Sequence, residues 1–451
     1  MTGAASPDSA SAPERRAANR AIARNAGHLI AARLLAQGLR AVYLVALARL
    51  LGPELFALVS YAQFWQLMLF AVVVFGTGRL LSREIGRDPN GFAETLTSSL
   101  TLRLLIALVV APAAAAAGWW LAPEPAARQL LVVFSLALAA RAIASWVHQV
   151  CIAHGVSRYI LRQEAVWRSV EVLAGLTALG LGAGLAGVAA AHALSWSLQA
   201  VTGLVLVHRR LHPVALGWQT ARVRMLLHDG LSAMLAAAAL ALIVNGSLVL
   251  YLSLFPDRGD GGQLAVVLQA LSPLLLVPKS LAVSTLPVLG RQVVAGSADA
   301  ARTTTMLLRL TLLVSAAVAL LGTVLAPPLT GLLLGADYAR AGVWFGPALW
   351  LLLPFGAGQL LTQLLFARGD VWPNAARAWA GALVTLLALW PLARWLGGAG
   401  VLVAMGLGLA VWTLALARLA YRHGDLGPEP GLAATTEARG RWRQDRGCCR
   451  R

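Results

Sequence analysis

The chain has 451 residues, of which 59% are hydrophobic and only 12% are charged, and its mean hydropathy is +0.71. A soluble domain carries charge on about a quarter of its residues, so this composition excludes a soluble class and predicts a polytopic membrane protein. The formal charge of +18 comes almost wholly from arginine, with Lys279 the only lysine, and the arginines fall mainly in short segments between apolar runs. That distribution indicates membrane topology, and we expect no nucleic-acid partner.

The chain begins with residues 1–24, which are rich in Ala, Ser and Arg and predict a disordered cytoplasmic tail. The first apolar run, 29–51, has the length of a membrane span. Further runs of similar length follow at 55–78, 96–120, 129–151, 165–183, 185–207, 229–254, 263–288, 304–326, 341–366, 378–396 and 398–420. Fourteen spans remain an alternative to twelve, since the stretches 180–187 and 326–341 can each be divided differently.

The longest interior polar connection, 209–228, divides these spans into two lobes, 25–208 and 229–421. We therefore predict an all-α polytopic membrane protein with about 12 transmembrane helices in two six-helix lobes. Transporters of this kind bind substrate between the lobes near the bilayer midplane. Residues 422–451 predict a second disordered tail. Arginine accumulates in alternate connections, so both termini are expected in the cytoplasm.

Charged residues inside the predicted spans are few, and most of them are basic. Those considered as candidates are Arg33, Arg40, Arg103, Arg141 and Lys279, with Glu171 as the carboxylate placed well inside a span. A charge near the middle of a membrane helix costs about 3 kcal/mol, so it normally faces a partner or a wet cavity. This set of residues is better suited to binding an anion than a cation.

The first span carries Arg33 and Arg40 on one face, about 10 Å apart along the helix axis. Arg33 lies close to the cytoplasmic end, so a side chain that snorkels to the interface explains it as well as cargo binding does. Arg40 lies about 16 Å into the run, and that depth favours a role in a cavity.

Arg141 begins a stripe of polar residues at helical spacing, continued by Ser145, His148 and Gln149. The stripe predicts either the polar face of a lumen or a structural network of interhelical hydrogen bonds. Arg103 lies nearer the cytoplasmic end of its span, where a role in packing or at the interface is favoured.

Lys279 follows Pro278 in a span that we expect to be kinked, with backbone carbonyls freed toward a cavity. Glu171 is a candidate for coupling to protons or sodium, although an ion pair with Arg168 on the same face is the simpler explanation. Two pairs of glutamines could line a sugar pathway or join helices. They are Gln63 with Gln66 and Gln359 with Gln363.

A family resemblance rests on three short segments. The turn Leu47-Ala-Arg-Leu-Leu-Gly-Pro-Glu, followed by Tyr61 and Gln63, resembles the first helix hairpin of the Wzx-type flippases of O-antigen and other lipid-linked oligosaccharides. That family belongs to the multidrug/oligosaccharidyl-lipid/polysaccharide exporter superfamily. The segments Leu334-Gly-Ala-Asp-Tyr-Ala-Arg-Ala and Leu396-Gly-Gly-Ala-Gly-Val are similar to turns before the family's tenth and last helices.

The resemblance covers about residues 25–421. The chain departs from the family at two positions: Ala57 stands where the family usually has a glycine, and Asn245 lies in a region where the family commonly has an acidic residue. It implies a MATE-like flippase that moves an undecaprenyl-diphosphate-linked oligosaccharide to the outer leaflet of the bacterial inner membrane by alternating access. The cargo would feed lipopolysaccharide or another surface polysaccharide. Arginine holds phosphate oxygens with paired hydrogen bonds. The residues expected to bind the diphosphate are Arg40, Arg141, Lys279 and Arg33.

Two other functions stay open at this point. A MATE-like antiporter of drugs or other small molecules is disfavoured by the scarcity of buried acids. A membrane polymerase or glycosyltransferase is disfavoured because the predicted outer loops are too short for a catalytic face. We therefore expect a non-enzymatic transporter, monomeric in the lipid bilayer and without a cofactor, that works beside polysaccharide-assembly proteins and draws on a proton or sodium gradient if it is driven.

Overall fold

The computed structural model describes residues 12–78, 81, 92–122, 124–255, 257–294, 299–369, 371–424 and 426. Within those ranges the regular structure is helical throughout, and the predicted all-α class is confirmed. The helices are α1 (Ala12–Val74), α2 (Phe92–Leu121), α3 (Pro125–Ala153), α4 (Arg158–Gly180), α5 (Gly184–Arg210), α6 (Thr220–Ala241), α7 (Ser247–Leu254), α8 (Arg258–Val294), α9 (Asp299–Leu334), α10 (Ala339–Leu349), α11 (Leu352–Arg368), α12 (Val371–Leu396) and α13 (Gly398–Arg422). A π-helical turn, Leu242–Gly246, joins α6 to α7, and a short 3-10 helix, Ala336–Tyr338, precedes α10.

The membrane-length helices among the described residues number twelve. Ten stretches are long and apolar enough to cross a bilayer, with α6 and α7 counted as one stretch (Thr220–Leu254) and α10 and α11 as another (Ala336–Arg368). The first stretch, Ala23–Val74, bends into two arms, each of which is a span. α4 is the twelfth span. Its 23 residues are long enough to cross a bilayer, but its polar residues lower its hydropathy below that of the ten stretches. Only residues 181–183 separate α4 from α5, and α9 continues to Leu334, so neither stretch that left fourteen spans open contains an additional one.

A single non-helical residue, Gly52, produces the bend in α1. Its φ of 69° and ψ of 173° lie in a region that only glycine occupies without strain. Pro53 follows and disfavours helical ψ at the residue before it, so the Gly-Pro pair specifies the break. The family-like turn read from the sequence is therefore a sharp corner between two helices.

Two compact units make up the chain: Met1–Val266 with Leu332–Tyr338 (unit 1), and Val267–Gly331 with Ala339–Arg451 (unit 2). The predicted linker 209–228 lies wholly inside unit 1, where its residues 211–219 separate α5 from α6. α1 begins at Ala12, inside the predicted tail 1–24. Residues 1–11 and most of the predicted tail 422–451 lie outside the described ranges.

Unit 1 is assembled around α3, which packs against α1, α2 and α5, while α1 also packs along α4. In unit 2, α13 packs against α11 and α12, with Trp412 fully buried against α11. Because the bilayer offers backbone groups no water, each of these segments bonds its own amides internally as a helix.

Two segments that carried the family resemblance meet in unit 1. The Arg49 guanidinium donates to the carbonyls of Leu332 and Leu333 at 2.6 and 2.5 Å. The Tyr338 hydroxyl donates to the carbonyl of Ala48 at 3.0 Å. These bonds cap carbonyls at helix ends, and they explain why Leu332–Tyr338 groups with unit 1 although its chain neighbours belong to unit 2.

Replacing Gly52 with alanine should strain the corner in α1. We expect Gly52→Ala to lower the free energy of unfolding in detergent by about 1–3 kcal/mol, because a Cβ disfavours positive φ. The matched control is Gly38→Ala in the same helix, where the added methyl meets nothing within 4 Å. That variant should be neutral or stabilising by up to about 1 kcal/mol. Equal effects of the two substitutions would contradict the assignment of strain to position 52.

Candidate functional site

The structure distributes the sequence-predicted site residues over both units. Unit 1 contains Arg33, Arg40, Gln63 and Gln66 on α1, Arg141 on α3 and Glu171 on α4. Unit 2 contains Lys279 on α8 and Gln359 and Gln363 on α11. The structure brings Arg40, Gln66, Arg141 and Glu171 into one polar cluster inside unit 1, whereas Arg33 is exposed elsewhere on the surface of α1.

Glu171 is the centre of the polar cluster. One carboxylate oxygen accepts a short hydrogen bond from Arg168, one turn earlier on α4. The other lies 2.6 Å from Nδ1 of His192 on α5. The ion pair expected between positions 168 and 171 is therefore present, and a histidine from the neighbouring helix extends it.

Arg168 binds more than one partner. A terminal nitrogen donates to Oε1 of Gln199 at 2.7 Å and to Oγ of Ser195 at 3.3 Å. Its Nε lies 3.7 Å from a carboxylate oxygen of Glu164. This guanidinium thus joins both carboxylates of α4 to the polar face of α5, which fixes the two helices against each other.

Gln66 connects the second arm of α1 to this network. Its Oε1 accepts from Arg141 at 2.8 Å and lies 3.2 Å from Nε2 of His192, while its Nε2 donates to the carbonyl of Phe134 at 2.9 Å. The bonds from Arg141 and to Phe134 fix which end of the amide is oxygen. Both nitrogens of His192 therefore face oxygen acceptors, an arrangement completed only when the imidazole carries two protons.

Aromatic rings hold the guanidinium groups. Arg141 lies 4.9 Å from the ring centres of Phe70 and Trp196, and Arg168 lies 3.9 Å from the ring of Trp196. The imidazole of His192 stacks on Phe134 with a ring separation of 4.2 Å. Such contacts stabilise cations where water is scarce and restrict the directions in which their N–H groups point.

The cluster carries an excess of positive charge among the described residues. Arg40 lies within electrostatic range of Arg141, Arg168 and Glu171. With Glu164, the cluster has three guanidinium groups and two carboxylates, so one net positive charge remains, or two when His192 is protonated. An anionic group is therefore the ligand that the electrostatics favours.

Several cluster residues were not predicted as site residues. The sequence prediction began the fifth span at residue 165, but α4 begins at Arg158, which brings Glu164 into the helix with Arg168. A signal was available, because Glu164, Arg168 and Glu171 follow helical spacing and share one face. The spacing of His192, Ser195 and Gln199 on α5 is helical in the same way.

Arg103 is a structural residue outside the cluster. Its side chain is 1% exposed and donates to the carbonyls of Ala142 and Val74 at 3.2 Å, to Gln149 at 2.9 Å and to the hydroxyl of Thr77 through a short bond. These bonds tie α2 to α3 and to the end of α1. Packing is thus the role that the geometry gives to this arginine.

The predicted residues of unit 2 do not form a comparable cluster within the part of the chain that the structure describes. Lys279 is exposed, and α8 continues through Pro278 as one helix. A small cavity beside Pro278 is lined almost entirely by apolar side chains of α8, α9 and α11. Gln359 and Gln363 are buried on α11, and the amide of Gln363 has no hydrogen-bond partner among the described residues.

Comparison with known protein families gives one match. The family described as polysaccharide biosynthesis protein matches residues 22–293. Among curated proteins, none matches the chain.

Solved structures with the same fold are transporters. A multidrug resistance MATE family transporter of the MOP superfamily, in an inward-facing conformation, superposes with a TM-score of 0.70 at 15% identity, over 87% of this chain and 94% of that one. A eukaryotic MATE transporter gives 0.64 at 14% identity, over 89% and 95%. A MOP superfamily transporter from Pyrococcus furiosus gives 0.62 at 16% identity, over the same shares. At these identities the likeness establishes the MATE-like fold.

Removing the guanidinium that joins the carboxylates should destabilise unit 1. We expect Arg168→Gln to lower the free energy of unfolding by about 3 kcal/mol, because it takes from the buried carboxylates of Glu164 and Glu171 the guanidinium that compensates their charge. Arg162→Gln, an exposed position on the same helix, is the matched control and should have little effect. Adding Glu171→Gln to Arg168→Gln should recover part of the loss, and simple additivity of the two substitutions would contradict the pairing.

Proposed function

The chain belongs to the polysaccharide biosynthesis protein family, and on that premise we propose that it flips an undecaprenyl-diphosphate-linked oligosaccharide across a bacterial inner membrane. Family membership confirms the resemblance read from the sequence, and the fold is that of a membrane transporter. The cargo would pass from the cytoplasmic to the outer leaflet by alternating access and would supply a cell-surface polysaccharide.

The observation that carries the proposal is the positively charged cluster of unit 1. A diphosphate presents several anionic oxygens, and guanidinium groups bind such oxygens with paired, charge-assisted hydrogen bonds. Arg141 is held in place by Gln66 and two aromatic rings, while Arg40 has two buried nitrogens without a partner among the described residues. The charge of Arg168 is balanced by Glu171 and the nearby Glu164, so Arg40 and Arg141 are the charged groups available for cargo.

The remaining parts of the proposal concern the setting. Both termini would lie in the cytoplasm, and the protein would act as a monomer beside polysaccharide-assembly proteins, without cofactor or nucleic acid. Lys279 would also bind the diphosphate, and Arg33 would attract it at the cytoplasmic mouth. The glutamines Gln63, Gln66, Gln359 and Gln363 would contact sugars. If transport is driven, the pair Glu171 and His192 would bind the proton, with sodium as the alternative ion.

A drug antiporter is the second candidate, because multidrug transporters share the fold. That function requires carboxylates free to bind cationic cargo. In unit 1 the carboxylates of Glu164 and Glu171 are instead paired with Arg168. The Pyrococcus furiosus transporter is described as having a binding pocket of reverse polarity that suggests a different function. Pocket polarity can therefore differ between transporters of this fold, and the excess of positive charge in unit 1 supports an anionic cargo here.

Flipping can be measured in liposomes that contain the purified protein and a fluorescent lipid-linked oligosaccharide. We expect wild-type protein to expose the label to an external quencher faster than empty liposomes do. Arg40→Gln and Arg141→Gln should each reduce the initial rate on the order of tenfold, because each removes a charge-assisted bond to phosphate. Arg128→Gln at the start of α3 is the control, since its side chain bonds the carbonyl of Ala122 and stacks on Trp119.

Two results would contradict the proposal. One is wild-type protein that leaves the label as inaccessible as in empty liposomes. The other is proton-dependent export of a cationic dye by wild-type protein without movement of the lipid, which would favour the antiporter. Unchanged flipping by Arg40→Gln, with normal reconstitution, would remove that arginine from the site without affecting the proposal for the whole protein.

A further inference from the structure

Three side chains around the unit 1 cluster, in addition to Arg168 through its Nε, end in buried donors that have no hydrogen-bond acceptor among the described residues. They are Arg40, through Nε and one terminal nitrogen, Tyr43, through its hydroxyl, and Trp196, through its indole N–H. A buried donor without an acceptor costs about 1–3 kcal/mol, so donors grouped in one place require an explanation.

Comparable aromatic donors in unit 1 are satisfied. Tyr61 shares a hydrogen bond of 2.7 Å with Ser253. Trp65, Trp146 and Trp167 donate to hydroxyl oxygens at 3.0–3.1 Å. The fold thus supplies acceptors to tryptophan and tyrosine elsewhere in this unit, and the unsatisfied donors at Tyr43 and Trp196 are a local property of the cluster.

The unsatisfied donors border the same cluster from two helices. Arg40 and Tyr43 are one turn apart on α1 and share a face. Tyr43 packs on Gly175 of α4, where a Cβ would overlap its hydroxyl, and it lies within electrostatic range of Glu171. Trp196 on α5 contacts the guanidinium group of Arg141, which in turn lies within electrostatic range of Arg40.

The chemistry of these unsatisfied side chains indicates which class of ligand they can bind. All three side chains can donate a hydrogen bond, and the guanidinium and indole groups cannot accept one, so the set suits a group that only accepts hydrogen bonds. A sugar hydroxyl both donates and accepts and would bond the carboxylates and amides of the cluster equally well. Phosphate oxygens only accept when ionised, and they benefit from the net positive charge.

We infer that the hydroxyl of Tyr43 and the indole N–H of Trp196 bind phosphate oxygens of the cargo, together with Arg40. This inference rests on the proposed function and adds two binding residues to it. The neutral donors fix the orientation of the phosphate group, while the arginines supply the charge. The ring of Trp196 also orients Arg141, so one side chain contributes to both tasks.

Binding should be measured with the full-length protein in nanodiscs, with undecaprenyl diphosphate, undecaprenol and inorganic pyrophosphate as probes. Tyr43→Phe removes one donor and keeps the ring, while Trp196→Phe removes the indole N–H and leaves a smaller aromatic ring, a change of volume that its control Trp167→Phe shares. We expect each to weaken binding of undecaprenyl diphosphate on the order of tenfold and to leave any binding of undecaprenol unchanged. Tyr61→Phe and Trp167→Phe, whose donors are already satisfied, should bind undecaprenyl diphosphate as tightly as wild type.

The melting temperature of the ligand-free protein provides a second readout that a structural role would move differently. Trp196→Phe should melt above Trp167→Phe, which loses the same ring volume and a hydrogen bond as well, and Tyr43→Phe should melt at or above the wild-type temperature, because it removes an unsatisfied buried donor. Tyr61→Phe and Trp167→Phe should melt below it, because each loses a bond. If Tyr43→Phe and Trp196→Phe melt as low as their controls, the donors have partners in the free protein and the inference is wrong.

The probes separate this inference from the proposed function. If Tyr43→Phe and Trp196→Phe both bind undecaprenyl diphosphate as tightly as wild type does, the inference is wrong and the flippase proposal is unaffected. Weakened binding of the diphosphate by the variants, in a protein that fails to flip, would support the donor set while refuting the function. A parallel loss for inorganic pyrophosphate would support the donor set and assign it to phosphate from either source.

Discussion

The pairing of Arg168 with Glu171 is the interaction on which the rest of unit 1 depends. An isolated charge in a membrane helix is costly, and the cost falls when opposite charges meet with their hydrogen bonds satisfied. α4 can carry both residues, and Glu164 as well, because its polar face packs against the polar face of α5. The two helices are therefore placed by charge complementarity in addition to apolar packing.

That pairing also determines which charges remain for a ligand. Glu171 and Glu164 take up Arg168, while Gln66 and two aromatic rings orient Arg141 without neutralising it. Arg40 completes the excess of positive charge from α1. The carboxylates that would suit a cationic cargo are thus internal counter-ions, and the net positive charge that remains is the basis on which we propose an anionic cargo.

Part of the candidate site could be predicted from the sequence and part could not. Arg40, Arg141 and Glu171 stood out because a charged residue in an apolar run is conspicuous. His192, Gln199 and Trp196 did not, since uncharged polar and aromatic residues are common in membrane helices and their importance depends on what faces them. Arg103 shows the converse: it was equally conspicuous, yet the structure surrounds it with carbonyl and side-chain oxygens that make it a structural residue.

The sequence by itself determined the class, the helical segments and the corner at Gly52, because hydropathy over a span and the backbone limits of Gly-Pro are local properties. The tertiary structure alone decided which polar residues meet. Glu171 and His192 are twenty-one positions apart, and His192 and Gln66 are 126 apart, yet each pair is within hydrogen-bonding distance. Such contacts depend on how helices rotate and pack against one another, and no local pattern specifies that arrangement.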